Sequence, residues 1–248
     1  MSDSRESVDD EVFSTGPRVT LSCEYGQRTV WWGNVWQWAS AAYWGAQAAR
    51  CRVGHGQFRL GADLMEEVAA CLLGGYGMPA TIGLAAFEAV RDAGLIRPKV
   101  RATEIEDVLR SPLRVGDRTV RYRFPHQRAE RLAAALAHLD SNPLPEDPRD
   151  ARHALTRAPG VGPKTASWII RNRYDSDSVA IVDVHLCRAG EAAGIFDRSW
   201  HLPRDYLCYE AYFLAWASHA DVRASVLDAC IWAELAELGS TDLPSRHP

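Results

Sequence analysis

The residues with the clearest capacity for chemistry in this chain are a lysine and an aspartate within one short stretch. Residues 155–185 read LTRAPGVGPKTASWIIRNRYDSDSVAIVDVH, in which Lys164 follows a glycine-rich turn and Asp183 follows an apolar run. Of the 28 lysine and arginine residues, only Lys164 and Lys99 are lysines. Arginine pairs with phosphates at least as well but keeps its proton, whereas a lysine can become a neutral amine and attack carbon. The stretch therefore indicates covalent chemistry at Lys164.

The turn before Lys164 lies between two predicted helices. One helix is expected over about 149–157, and the next begins at Pro163, because proline suits the first turn of a helix. Two glycines allow a tight turn and a close approach to another surface, and the N–H groups at the following helix start attract an anion such as a DNA phosphate. The pattern predicts a DNA-binding helix–hairpin–helix. The alternatives are a plain helix corner and a phosphate contact by Lys164 without catalysis. The residues predicted to contact DNA here are Gly160, Val161, Gly162 and Thr165.

The apolar run before Asp183 is Val179–Val182. Asp183 follows it at the start of another predicted helix, 184–190. Aspartate at such a position is commonly an N-cap, whose carboxylate accepts hydrogen bonds from the first N–H groups of the helix. A cap and a catalytic role are compatible. His185 and Arg188 follow within this helix and are either phosphate ligands or ordinary helix-surface residues.

Composition indicates a soluble globular protein without a metal centre. The 248 residues allow one large domain or two lobes, and they contain no apolar run of about eighteen residues that would span a membrane. The polar, acidic residues 1–16 do not resemble a signal or transit peptide, so we expect a cytoplasmic protein, with the nucleoid if the source is prokaryotic. The six cysteines are scattered without a C-x-x-C pair, which argues against zinc and against an iron–sulfur cluster.

Charge is distributed unevenly along the chain. A net charge of −4 argues against nonspecific coating of nucleic acid, because phosphate neutralisation dominates such binding, so any DNA contact must be local. The stretch 97–131 is rich in basic residues and is either an electropositive face or a solvated helix surface. Its basic residues are Arg97, Lys99, Arg101, Arg110, Arg114, Arg118, Arg121, Arg123, Arg128 and Arg131.

Hydrophobic periodicity predicts an all-α protein with minor short β pieces. Apolar residues recur at helical spacing over 64–73, before a Gly-Gly pair, and again around Leu132, Leu136 and Leu139. Further helices are expected over 80–93, with Thr81 as N-cap, and over 204–217 and 221–238. The clearest strand signals are Val19 to Cys23 and Thr119 to Phe124.

The motif L-x-x-x-P-G-V-G-x-K-x-A followed by V-D-V-H resembles the helix–hairpin–helix–Gly/Pro–Asp superfamily of DNA glycosylases. A lysine at this position resembles the bifunctional members, which also cleave the DNA strand. The chain lacks a C-terminal four-cysteine pattern, and in this respect it resembles the 8-oxoguanine glycosylases rather than the endonuclease III branch. Residues 121–132 resemble the same branch more loosely.

This resemblance implies a two-lobed helical fold with the active site in the cleft between the lobes. We expect a flexible tail over 1–16, one lobe formed by 17–79 with 185–248, and a second lobe over 80–184 that contains the helix–hairpin–helix. The implied partner is double-stranded DNA with a modified base, bound by a monomer, with no cofactor and no membrane.

The resemblance also implies a reaction. Lys164 would attack C1′ of a flipped nucleotide, expel the base and leave an imine, from which β-elimination cleaves the strand. Asp183 would stabilise the positive charge at C1′ and help to move protons. The base most directly implied is 8-oxoguanine.

The predicted base pocket departs from the family pattern. Where the eukaryotic 8-oxoguanine enzymes have a small cysteine one turn after the lysine, this chain has Trp168, which either stacks on a base or belongs to the core. A different modified base, such as a bulky hypermodified phage cytosine removed in antiviral defence, is therefore an alternative substrate. A noncatalytic DNA-binding module is the alternative from another class. The predicted pocket residues are Trp168, Trp36, Trp232 and Asp228.

Two further segments have two interpretations each. Residues 29–44, TVWWGNVWQWASAAYW, are either a packing helix, in which Trp32 and Trp36 share a face, or a base-stacking wall. The loop 75–79 is either a connector or a wedge that fills the gap left by a flipped base, through Tyr76 and Met78.

Overall fold

The computed structural model describes residues 17–52, 56–75 and 77–238. Within these ranges it contains ten α-helices and two antiparallel sheets of two strands each, which confirms the predicted helical class. Contacts divide the chain into two units. The terminal unit consists of the described residues of Met1–Gly54 and Asp177–Pro248, and the central unit consists of those of His55–Ser176.

The terminal unit is a β-hairpin packed with four helices around one apolar core. The hairpin buries Leu21 and Val30, and the core centres on the fully buried Trp44, Phe213 and Trp216. Its elements are β1 (Arg18–Cys23), β2 (Gly26–Trp31), α1 (Ala41–Arg50), α8 (Val184–Ala192), α9 (Tyr206–His219) and α10 (Ala224–Leu238).

The central unit is a helical bundle with one small hairpin. Its elements are α2 (Leu64–Leu73), α3 (Ala80–Asp92), α4 (Ala102–Arg110), β3 (Leu113–Val115), β4 (Arg118–Val120), α5 (Pro125–Ser141), α6 (Pro148–Leu155) and α7 (Pro163–Tyr174). The long helix α5 packs against α2 and α4, and α7 packs against α2 and α6.

The unit boundaries differ from the expected lobes. Residues 64–73 were expected in the lobe with the chain termini, whereas α2 packs against α3, α5 and α7 and so belongs to the central unit. The chain passes between units at 176–177 rather than at 184–185, so Asp183 lies in the terminal unit. The N-cap of the helix that starts at residue 80 also differs from the predicted Thr81. Pro79 is the N-cap of α3 and makes no side-chain cap bond, and Thr81 lies inside the helix.

The tryptophan-rich segment is not one helix. Trp31 ends strand β2, residues 32–40 are irregular, and α1 begins only at Ala41, with Ser40 as its N-cap. Gly33 adopts φ +72°, and a Cβ there would lie 2.5 Å from the Cβ of Ser40. This tight turn interrupts the helix, so the shared face predicted for Trp32 and Trp36 does not exist.

Candidate active site

The turn before Lys164 forms a compact hairpin between α6 and α7. The Val161 N–H donates to the Ala158 carbonyl (3.1 Å), and the Ala166 N–H donates to the Gly162 carbonyl (2.9 Å). Val161 is buried and fixes the turn to the core of the unit, whereas both glycines are exposed. The predicted helix–hairpin–helix is therefore confirmed as a local structure.

The two glycines of this hairpin have different physical requirements. Gly160 has φ +81°, and a Cβ there would lie 2.9 Å from the Cβ of Arg131 on α5. Gly162 has φ −88°, and a Cβ there would meet nothing within 4 Å. The fold therefore requires glycine at 160, while nothing among the described residues requires it at 162.

Alanine substitutions should separate these two requirements. We expect Gly160→Ala to lower the free energy of unfolding by at least about 1–2 kcal/mol, because of its left-handed backbone and the clash with Arg131. Gly162→Ala should cost less than about 1 kcal/mol, as at other N-caps, but should weaken duplex binding because its methyl group projects into the space that a phosphate would occupy. Denaturant unfolding and duplex titration of both variants measure the two effects. A Gly162→Ala protein that binds duplex as tightly as the wild type would contradict a DNA contact at this turn.

Lys164 and Thr165 lie in the first turn of α7, and both are half-buried. This helix begins with Gly162 as N-cap, which has no side chain to accept hydrogen bonds from the first N–H groups. The helix start thus combines an amine with a local positive dipole. Such a site is suited to bind an anionic substrate and to present the lysine amine as a nucleophile.

A buried carboxylate holds α7 in place. Glu67 on α2 is fully buried and accepts a hydrogen bond from the Asn172 side chain on α7 (2.7 Å). Its other oxygen accepts the N–H groups of Leu60 and Gly61. Burial, then the nearby Glu67 charge, raises the pKa of the Cys71 thiol well above its ordinary value. Sequence reasoning missed Glu67 and Asn172, although a glutamate inside the apolar run 64–73 is a signal of a buried acid.

Trp168 lies one turn after Lys164 and is half-buried. Its ring edge lies 3.4 Å from the position of a Cβ on Gly74, so the indole packs over the glycine at the end of α2. Part of the ring is therefore core, and part stays accessible. Met78 is only 9% exposed, so its side chain does not project as a duplex wedge must. Tyr76 lies outside the described residues, and its wedge role stays a prediction.

Asp183 is the N-cap of α8, as its position predicted. Its Oδ1 accepts hydrogen bonds from the N–H groups of His185 (2.8 Å) and Leu186 (3.0 Å). These two bonds fix the orientation of the carboxylate. The side chain is half-buried.

The segment that leads to Asp183 is attached to α9 by polar groups. Glu210 accepts a hydrogen bond from the Ala180 N–H (2.9 Å), and the Tyr206 hydroxyl donates to the Ala180 carbonyl (2.7 Å) and accepts the Val182 N–H (3.3 Å). These three bonds satisfy the Ala180 N–H and carbonyl and the Val182 N–H within a buried run that belongs to no helix or strand. Glu210 and Tyr206 are thus structural supports of Asp183. Sequence reasoning missed them, although Glu210 is the only charged residue among the buried side chains of α9.

The two other residues predicted on α8 are half-buried. The Nδ1 atom of His185 is buried and has no hydrogen-bond partner in the described part of the chain. Arg188 follows less than one further turn along the helix. Their predicted phosphate contacts stay predictions.

The remaining pocket candidates lie in the terminal unit. Trp36 is 83% exposed in the irregular segment, and its backbone N–H donates to the Asn34 side chain. On α10, Asp228 is buried whereas Trp232 is 46% exposed. The segment and the first turn of α1 are fixed to α10, because the Trp38 indole N–H and the Tyr43 hydroxyl both donate to Glu234 (2.9 Å each). Trp36 is therefore a solvent-facing ring on an anchored loop rather than a core residue.

The candidates divide between the two units, with Asp183, His185 and Arg188 together on α8. The central unit holds Gly160, Val161, Gly162, Lys164, Thr165, Trp168 and Met78, and the terminal unit holds Asp183, His185, Arg188, Trp36, Asp228 and Trp232. Among the described residues no group of three or more histidine, cysteine or acidic side chains is placed to bind a metal ion. No helix within the described ranges has the length and apolar character of a membrane span.

Comparison with known proteins identifies the class. A family model, Ogg-HhH, described as 8-oxoguanine DNA glycosylase, matches residues 57–222, which is well over half of the chain. The chain therefore belongs to the 8-oxoguanine DNA glycosylase family, and it is a DNA glycosylase of the helix–hairpin–helix–Gly/Pro–Asp superfamily. This confirms the resemblance seen in the motif. No curated protein matches the sequence significantly.

Solved structures agree on the fold. The 8-oxoguanine glycosylase/lyase of Methanocaldococcus jannaschii, in complex with a 15mer DNA containing 8-oxoguanine, is 24% identical, with 70% of this chain and 81% of that chain covered and a TM-score of 0.55. Another structure of the M. jannaschii 8-oxoguanine DNA glycosylase is 23% identical (77% and 82% covered, TM-score 0.54). A trapped endonuclease III–DNA covalent intermediate is 18% identical (77% and 81% covered, TM-score 0.54). At these identities the similarity establishes the fold alone.

Proposed function

We propose that this chain excises a modified purine, in the first instance 8-oxoguanine, from duplex DNA and then cleaves the strand through a Schiff base on Lys164. The observation that carries the proposal is the position of Lys164, in the first turn of the helix that begins immediately after the glycine hairpin. The chain belongs to the 8-oxoguanine glycosylase family, and the similar M. jannaschii protein is described as a glycosylase/lyase on DNA containing 8-oxoguanine.

The reaction uses the amine as a nucleophile. The neutral Lys164 Nζ attacks C1′ of the extruded nucleotide, the bond from C1′ to the base breaks, and the base leaves with the bonding electrons and takes up a proton. The ring oxygen O4′ then leaves C1′, which produces the imine between C1′ and Nζ. Loss of a C2′ proton and departure of the 3′-phosphate complete β-elimination, and water releases the sugar from the lysine.

Asp183 is proposed as the charge that stabilises this reaction. Departure of the base develops positive charge at C1′ and O4′, and a fixed carboxylate lowers the energy of that state without reorganising. The two N–H donors on Oδ1 and the attachment of residues 180–182 to α9 supply the rigidity that such a role requires. Asp183 is also a candidate acceptor for the proton that Lys164 must lose.

One observation favours a second substrate. Trp168 occupies the position one turn after Lys164, and its partly accessible indole is far larger than the cysteine of the eukaryotic 8-oxoguanine enzymes. A pocket bounded by this ring would select a base of different shape from 8-oxoguanine, because base selection in extruded-nucleotide enzymes depends on pocket shape and stacking. The alternative is the same chemistry on another modified base.

Borohydride trapping tests the proposal and separates its alternatives. We expect a covalent protein–DNA adduct on a duplex with 8-oxoguanine opposite cytosine and none on undamaged duplex, because borohydride reduces the imine to a stable amine. An adduct only on an abasic duplex would retain Lys164 chemistry and redirect the search to other bases, with a panel of modified cytosines first. Duplex binding without an adduct on any of these substrates would overturn the lyase and favour the binding module.

A further inference from the structure

We propose that the hairpin formed by β3 and β4 is a second contact surface for duplex DNA, which binds backbone phosphates beside the helix–hairpin–helix. This arginine hairpin comprises residues 113–123. The inference rests on the proposed function only in taking duplex DNA as the substrate.

The nine arginines of the basic stretch 97–131 fall into two groups in the structure. In the first group each arginine has a structural partner within the central unit. Arg97 and Arg101 pair with Glu104, Arg110 pairs with Glu106, Arg128 donates to the Leu72 carbonyl, and Arg131 packs against Gly160.

The four other arginines all belong to the arginine hairpin, and all are exposed. In the described part of the chain none of their side chains has a hydrogen bond or an ion pair, and only Arg123 has a ring contact, its guanidinium lying 5.0 Å from the centroid of the Phe124 ring. Asp117 is the single acidic residue of the segment, so its net charge is +3 (four arginines less one aspartate) in a chain of net charge −4. The four are Arg114, Arg118, Arg121 and Arg123.

The backbone of the arginine hairpin is anchored, so its side chains project from a fixed frame. Leu113 is buried, and the buried Tyr122 donates its hydroxyl to the Leu73 carbonyl; burial raises the pKa of Tyr122 to about 12, so it remains a donor. Arg114 pairs across the strands with Thr119. Because side chains alternate along a strand, Arg114 lies on the face opposite to Leu113, whereas Arg118, which pairs with Val115 beside the turn, lies on the face of Leu113.

The arginine hairpin adjoins the glycine hairpin through α5. Phe124, which follows the arginine hairpin, is the N-cap of α5, and Arg131 on the same helix contacts Gly160. Seven residues of helix separate the two points, a rise of about 10 Å. The two hairpins therefore adjoin the same helix at points about two turns apart, which places both on one frame within the central unit.

The chemistry of the surface favours phosphate over an acidic protein. Protein interfaces have an apolar core, and no large hydrophobic side chain of residues 113–123 is exposed. Guanidinium groups match phosphate oxygens in a two-pronged geometry.

The test compares two pairs of exposed arginines, one pair without side-chain partners in the described part of the chain and one pair bound to glutamates. Arg114→Gln/Arg118→Gln removes two unpaired charges, and the control Arg97→Gln/Arg110→Gln removes two exposed charges that are paired with glutamates. Dissociation constants for an undamaged duplex are measured by fluorescence anisotropy from about 50 to 200 mM salt. We expect the slope of log Kd against log salt to fall by about 2 for the hairpin pair, at about 0.9 per phosphate contact, and by much less for the control.

Equal slopes for the two double variants, or a wild-type slope for the hairpin pair, would overturn the proposal. Arg114→Lys/Arg118→Lys, which retains both charges, is expected to restore the slope, because the slope counts the phosphate charges that are neutralised, and a slope that stays low in this variant would also overturn the proposal. The two proposals fail separately. A wild-type protein that binds duplex but forms no trapped adduct refutes the Lys164 chemistry alone, whereas an unchanged slope with normal trapping refutes the arginine hairpin alone.

Discussion

Lys164→Gln is expected to abolish the borohydride-trapped adduct and to lower base excision by at least about 10³-fold. Glutamine approximates the length and polarity of the lysine but has no basic amine, so no imine can form. Because the side chain is half-buried on the first turn of α7, the substitution should leave the helical fold intact. Duplex affinity should fall only by the loss of one positive charge, a few-fold effect at about 150 mM salt.

The composition of the chain supplies an unusually direct control. Lys99 is the only other lysine, and it is exposed on the loop before α4 with φ +60°. Lys99→Gln removes the same charge from the same unit and should leave the adduct unchanged. Proteolysis of the reduced adduct should place the modification on the peptide that contains Lys164. Full trapping by Lys164→Gln would refute its role as the nucleophile, and excision without trapping would indicate a water-mediated reaction.

Local signals explain the part of the candidate site that could be predicted from the sequence. Pro163 and the glycines before it determine the turn and the helix start through backbone geometry alone, and Asp183 caps α8 through bonds to residues two and three positions away. Such features depend on short separations along the chain. They are confirmed in the structure, and they are also the features that carry the resemblance.

Long-range contacts explain what the sequence did not predict. Glu210 and Tyr206 support the run before Asp183. Their bonds to Ala180 join residues that are 30 and 26 positions apart in the sequence. Residues 29–44 have helical spacing of aromatic residues, yet the turn at Gly33 and the bond from Trp38 to Glu234 hold residues 32–40 as an irregular loop before α1. One of the two interpretations of the loop 75–79 made Met78 a duplex wedge, but tertiary packing buries its side chain. Periodicity cannot report contacts of this kind.

Asp183 has two functions in the proposed site, and two substitutions separate them. Asparagine caps a helix about as well as aspartate, so Asp183→Asn should change the free energy of unfolding by only a few tenths of a kcal/mol. It removes the charge, however, and should lower single-turnover excision by about 10²–10⁴-fold. Asp183→Ala should show the same kinetic loss together with a loss of stability of about 1 kcal/mol, because the N–H groups of His185 and Leu186 lose their acceptor.

A cap without proposed chemistry provides the comparison for these variants. Asp63 is the N-cap of α2 and accepts the Glu66 N–H at 2.9 Å. Asp63→Ala should lose about 1 kcal/mol of stability and retain wild-type excision at a temperature at which every variant is folded. If Asp183→Asn excises the base at the wild-type rate while Asp183→Ala is slow, the carboxylate charge has no catalytic role and the residue acts by holding α8. If both Asp183 variants are slow and Asp63→Ala is not, the lower excision rate results from removal of the carboxylate charge, because the asparagine variant retains the cap.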